Sequence, residues 1–207
     1  MPDKSPTAIT TLDADQLQAV LARSQRDNDW AWLHIGAAHS TVWRQPPRPS
    51  APSQHALPLG YDSLAARYLR HTPPTEGDVE NTIMVVEDAV MPLTKLWPVP
   101  SASASLVCTG MAMPALAALL PAEPSPTANA PLTLYSTHAL EDLFNQFANV
   151  AMGGPSSQWA LSNEDAAFLT MLRECMHHWG FQTLAVVHGS PTPSLLGAQA
   201  ADKPSTA

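Results

Sequence analysis

Charge is scarce in this chain. Asp, Glu, Lys and Arg make up 14% of its 207 residues, against about a quarter in an ordinary soluble domain. Only ten residues are basic, and no basic run exceeds two. A nucleic-acid surface needs clustered Lys and Arg, so that class of partner is excluded. The net charge of −8 speaks for solubility alone. Long apolar runs are also missing. None reaches the ~18 residues that span a bilayer, so no membrane segment is expected. Cysteine occurs twice, at Cys108 and Cys175, too seldom for a disulfide framework. Both read as free, buried thiols of a reducing cytoplasm. The N-terminal Met1-Pro2-Asp3-Lys4-Ser5-Pro6 is polar and lacks the apolar core of a signal peptide. A cytoplasmic location is therefore expected.

Apolar residues are plentiful, at 45%, enough for one core. One domain is expected over 12–197, between disordered tails at 1–11 and 198–207 rich in Pro, Ser, Thr and Ala. The 21 prolines gather in clusters that mark irregular connections: Pro46 to Pro58, Pro92 to Pro100, Pro121 to Pro131 and Pro191 to Pro204. Leu17, Val20 and Leu21 share a face, which predicts a helix from Asp13 to Arg26. Strands are predicted at 30–35 and 41–44, with the Pro/Ser-rich 45–56 as a loop. A short helix at 62–70 follows. Thr75 is the N-cap of a helix to Met91 with Val79, Ile83, Val86 and Val90 on one face, and Pro92 ends it. Further elements are a strand at 105–110, a helix opened by Pro114, a helix at 138–149, a helix at 163–179 capped by Ser162 and closed by Gly180, and a strand at 183–187. Strands alternating with helices predict an α/β fold.

The segment from Trp30 to Trp43 reads strand, small-residue turn, strand. Small side chains leave turn amides open to a phosphate. Metal-assisted hydrolysis also needs carboxylates to hold the cation and orient water, and this hairpin has none.

Five colinear patterns carry a resemblance. His34-Ile35-Gly36-Ala37-Ala38-His39-Ser40-Thr41 resembles Asp-Ile-Gly-Gly-Gly-Ser-Thr-Glu of the exopolyphosphatase/guanosine pentaphosphate phosphatase (Ppx/GppA) family. Leu57-Pro58-Leu59-Gly60 resembles that family's Leu-Pro-Leu-Gly, and Pro73-Pro74-Thr75 its Asp-Pro-Pro-Thr. Cys108-Thr109-Gly110-Met111-Ala112 resembles its Gly-Gly-Thr-Ala. Asp165 through Gly189 resembles its closing helix and strand. The resemblance spans about residues 28–197. It implies the second core domain of a sugar kinase–Hsp70–actin superfold: a single domain with an RNase H-like mixed sheet flanked by helices.

Departures from the family pattern bear on chemistry. His34 stands where the family has Asp, Ala37 and Ala38 where it has Gly, and Thr41 where it has Glu in an ungapped alignment. A one-residue insertion instead leaves Val42 in that place. Gly110-Met111 replaces Gly-Thr, and Thr192-Pro193 replaces Arg-Glu. No catalytic residue is assigned. The candidate anion-binding set is Gly36, Ala37, Ala38, Ser40, Thr41, Gly110 and Gly189.

Other polar groups have plainer readings. His34 and His39 straddle a tight turn without a third ligand, and His177 and His178 do not share a helix face. No metal is expected. Glu87-Asp88, Glu141-Asp142 and Glu164-Asp165 read as solvated helix faces or first-turn charges. Ser40 and Ser190 follow no nucleophile pattern. Met84, Met91, Met111, Met113 and Met152 read as plastic core or interface.

The leading expectation is an inactive binding, scaffolding or regulatory module with a protein partner or a homodimer mate, able to meet a phosphate-containing small molecule and needing no cofactor. One alternative is a phosphatase of polyphosphate or guanosine pentaphosphate and tetraphosphate, with magnesium and a partner-supplied domain. The other is a structural assembly component of actin-like ancestry.

Overall fold

A computed structural model describes residues 29–47, 49–123, 132–156, 159 and 161–187. The helix expected at 13–26, both tails, Gly189 and Ser190 lie outside the described residues.

Six strands form one mixed sheet: β1 (Trp30–Ile35), β2 (Ser40–Gln45), β3 (Ser53–Leu57), β4 (Ser105–Thr109), β5 (Leu132–Ser136) and β6 (Thr183–Val187). Their order is β3-β2-β1-β4-β6-β5. The β1–β2–β3 meander is antiparallel, β1, β4 and β6 are parallel, and β5 joins β6 antiparallel. This is the expected α/β, RNase H-like mixed sheet, with β5 added at one edge. Among the described residues, five helices accompany it: α1 (Tyr61–Tyr68), α2 (Glu76–Thr94), α3 (Met113–Ala117), α4 (Thr137–Ala151) and α5 (Asn163–Trp179).

Alternation along the strands sorts the two faces of the sheet. Ala31, Leu33, Ile35, Val42, Leu106, Cys108 and Leu184 join the helices in the main core. Trp30, Trp32, Val107, Leu132, Ala185 and Val187 form a second buried cluster on the other face, with Trp43 against it. The helix α5 is buried nearly all round, because α1, α2 and α4 all pack on it.

Helix starts follow their caps. The Thr75 side chain accepts from the Asp78 amide, and the Asp78 carboxylate accepts from the Thr75 amide, a reciprocal box worth about 1 kcal/mol. Burial pushes the Asp78 carboxyl up, yet the Thr75 amide and His71 outweigh it and hold it below the usual range. At the far end of α5, Gly180 adopts φ 79° and ends the helix as expected.

Three expectations need correction. Pro92 lies inside α2, which runs on to Thr94. The last turn forgoes one amide there, while Leu93 is buried and its carbonyl accepts from the amides of Leu96 and Trp97. The expected loop at 45–56 contains β3, whose residues are bracketed by Pro52 and Pro58 and pair on one side only. The strand β5 follows the proline cluster and was not expected at all. As edge strands, neither β3 nor β5 has the continuous apolar run that marks a central one.

At the end of the sheet opposite the β1–β2 turn, Arg44 and Asp29 form an ion pair, each side chain 1% exposed. The guanidinium also donates to the carbonyls of Trp30 and Gln45 and lies over the Phe181 ring, while Ser101 donates its amide to Asp29. Burial pulls the guanidinium pKa down, and Asp29 opposes that. Removing one partner of such a pair leaves a buried charge, at a cost of about 3–5 kcal/mol. Arg44→Leu should lower the denaturation midpoint accordingly, and adding Asp29→Asn should restore part of the loss. A single variant as stable as the parent would show that the pair contributes nothing.

Candidate functional site

In α/β sheets, ligands meet the carboxyl ends of parallel strands. Here β1 ends at Ile35, β4 at Thr109 and β6 at Val187, all at one end of the sheet. Residues 36–39, Gly110 and the start of α1 gather there. The Gly36 carbonyl accepts from the Tyr61 amide at 3.1 Å, and the Ala37 carbonyl accepts from Asp62 at 3.1 Å and Ser63 at 3.2 Å. The first amides of a helix have no partner within the helix and elsewhere make ready anion sites. In this chain the turn's carbonyls occupy them.

Glycine is what lets the backbones come so close. A Cβ at Gly60 would lie 2.3 Å from the Ala37 oxygen, and one at Gly36 would lie 2.4 Å from the His39 oxygen. Gly110 has φ +155°, and a Cβ there would meet both the Ile35 oxygen and the Phe168 ring at 2.5 Å. Ala37 and Ala38 are exposed, and their amides meet no acceptor among the described residues.

Beside the turn, His34 has Thr41 across β2 and Thr109 across β4 as register partners. Trp32 donates its indole N–H to the Thr109 hydroxyl at 3.0 Å, and that oxygen lies 3.0 Å from His34 Nδ1. Because an indole can only donate, the Thr109 hydroxyl accepts from Trp32. Burial lowers the His34 pKa, so the imidazole is neutral at pH 7.

No protein-family model and no curated protein matches the sequence. Solved structures do match in fold. The Aquifex aeolicus member of the Ppx/GppA family gives a TM-score of 0.61 at 16% identity, covering 88% of this chain and 60% of that chain. The type II variant of the Aquifex aeolicus Ppx/GppA phosphatase gives 0.60 at 16% identity, over 84% and 58%. An exopolyphosphatase from Cytophaga hutchinsonii gives 0.54 at 15% identity, over 84% and 57%. The chain has the Ppx/GppA fold. It spans about three-fifths of the length of the Aquifex protein.

The position that the Ppx/GppA resemblance gives to Asp is thus held by His34, and the one it gives to Glu by Thr41, or by Val42 if one residue is inserted in the turn. No carboxylate among the described residues bonds or pairs with His34, Thr41 or Thr109. Ser40 is one of the expected anion-binding set. Its side chain turns into the helical layer and donates to the Leu59 carbonyl at 2.8 Å. Met111, on the loop after Gly110, is 83% exposed. Cys108 and Cys175 are free and buried, and burial pushes both thiols well up, which makes them inert.

Two acidic pairs differ from a solvated face. Glu141 binds Arg173 through both oxygens, and Glu87 approaches His178 at 3.3 Å. Glu174, fully buried on α5, was not singled out from the sequence. The available signal was its four-residue spacing from His178, which places both on one helix face.

The depressed His34 pKa fixes the sign of an acid effect. Between the ordinary histidine value of about 6.5 and the lower native one, the unfolded chain binds a proton that the folded chain does not. Stability therefore falls as pH drops through that window. The urea midpoint should fall between about pH 7.5 and about pH 5, and should fall less in His34→Gln. Equal falls in parent and variant would remove His34 from the account.

Proposed function

We propose that this domain is a catalytically inactive, Ppx/GppA-like binding or regulatory module that works through a protein partner or a second copy of itself. The neutral His34–Thr109 pair carries this reading. Phosphoryl transfer is catalysed by positioning and by charge, through cations and the carboxylates that hold them. His34 and Thr41 bring no charge to that end of the sheet at pH 7. The exposed Met111 beside them is an adaptable apolar contact. Met84, Met91 and Met152 are exposed as well, in keeping with an interface rather than a core role.

A phosphate-containing ligand would meet the open amides of Ala37 and Ala38, flanked by Gly36, Thr41 and Gly110. Binding of that kind needs donors alone, whereas turnover needs the missing acids. The rival reading is a phosphatase whose remaining wall comes from another chain. It draws on the span of this chain, about 60% of the Aquifex protein.

Phosphate release from polyphosphate and guanosine pentaphosphate, measured with magnesium, separates the two. The module reading expects release no faster than a protein-free blank, together with a light-scattering mass above the monomer or a co-purifying partner. Magnesium-dependent release that is lost in Gly36→Val would establish the phosphatase instead. A strict monomer that retains no partner in pull-downs would refute the module.

A further inference from the structure

The helical layer holds a cluster that the Ppx/GppA-like site does not use. Glu87 on α2 and Glu174 and His178 on α5 each bring one ligand atom, and these atoms lie within 4.8 Å of one another. The Glu174 side chain is fully buried. Its Oε1 accepts from Arg173 Nη1 at 2.5 Å, while its Oε2 has no hydrogen-bond partner. That oxygen points at His178 Nε2, 3.4 Å away, and the same nitrogen is 3.3 Å from Glu87 Oε1. A buried carboxylate oxygen without a hydrogen bond costs about 1–3 kcal/mol or more, so the position calls for a cation.

We propose that Glu87, Glu174 and His178 form a site for a first-row divalent metal ion, with zinc as the fitting case. Zinc takes histidine nitrogen and carboxylate oxygen at about 2.0–2.2 Å in a tetrahedron. Ligand atoms on such a tetrahedron lie about 3.3–3.5 Å apart by geometry, and two of the three edges already have that length. Glu87 is 43% exposed on its side chain, free to swing the remaining edge closed, and water completes the shell. One nitrogen with two oxygens suits zinc, manganese or iron better than magnesium or calcium.

Charge agrees with this assignment. Arg173 is shared between Glu141 and Glu174. Glu87 and Glu174 both aim a carboxylate oxygen at the single His178 Nε2, which leaves negative charge for a divalent ion to cancel. His178 also sits in the last turn of α5, where the helix dipole favours positive charge. The ion would clip α2 to α5 across a long sequence separation, which makes the site structural and independent of any reaction at the turn.

Isothermal titration of the metal-free full chain with zinc chloride tests the site. One zinc per chain is expected, with a rise in melting temperature on binding. His178→Ala and Glu87→Gln change partly exposed side chains, and circular dichroism confirms their fold. Each should weaken binding by roughly tenfold or more, while His138→Ala, in the exposed His138–Asp142 pair on α4, should not. Absence of binding, or binding that survives both ligand variants, would overturn the proposal.

Discussion

The carbonyls of the β1–β2 turn cap the first turn of α1, and the arrangement of this end of the molecule depends on that contact. It anchors the hairpin to the helical layer and closes an N-terminus that would otherwise invite an anion. It also explains why glycine stands at 60, where any larger residue would drive a Cβ into the Ala37 oxygen. Ser40 reinforces the same junction from inside through the Leu59 carbonyl. None of these bonds needs a carboxylate. The turn can therefore keep its shape with the acids of a hydrolase absent.

The polar groups next to the turn follow the same logic. Trp32, Thr109 and His34 satisfy one another in a short chain of hydrogen bonds. Neither of these two bonds draws on a carboxylate. An Asp in the place of His34 would bring an unshielded charge against the indole face of the sheet, and it would need a cation to be tolerated. The Ppx/GppA fold here rests on apolar strands, caps and close glycines, none of which draws on charge at positions 34 or 41.

Much of the architecture was legible in the sequence because its signals are local. Ser162 and Gly180 bracket α5, Thr75 opens α2, and the apolar runs of β1, β4 and β6 mark the centre of the sheet. The edges were not legible. Ser53–Leu57 and Leu132–Ser136 are strands because β2 and β6 offer them partners, which is a property of the assembled sheet. Around the candidate site, the absence of carboxylates at 34 and 41 could be read directly. The withdrawal of Ser40 could not, since its direction is set by the register of the hairpin. The Glu87–Glu174–His178 cluster escaped for a related reason: its members come from two helices that only tertiary packing brings together.

The central proposal is that the turn end of the sheet works without a bound cation. Amide NMR shifts of residues 34–41 and 109–111, followed during a polyphosphate titration with and without magnesium, test it most directly. A neutral site predicts the same shifts in both series, centred on Ala37 and Ala38. Shifts that appear at His34, Thr41 or Thr109 only when magnesium is present would contradict it.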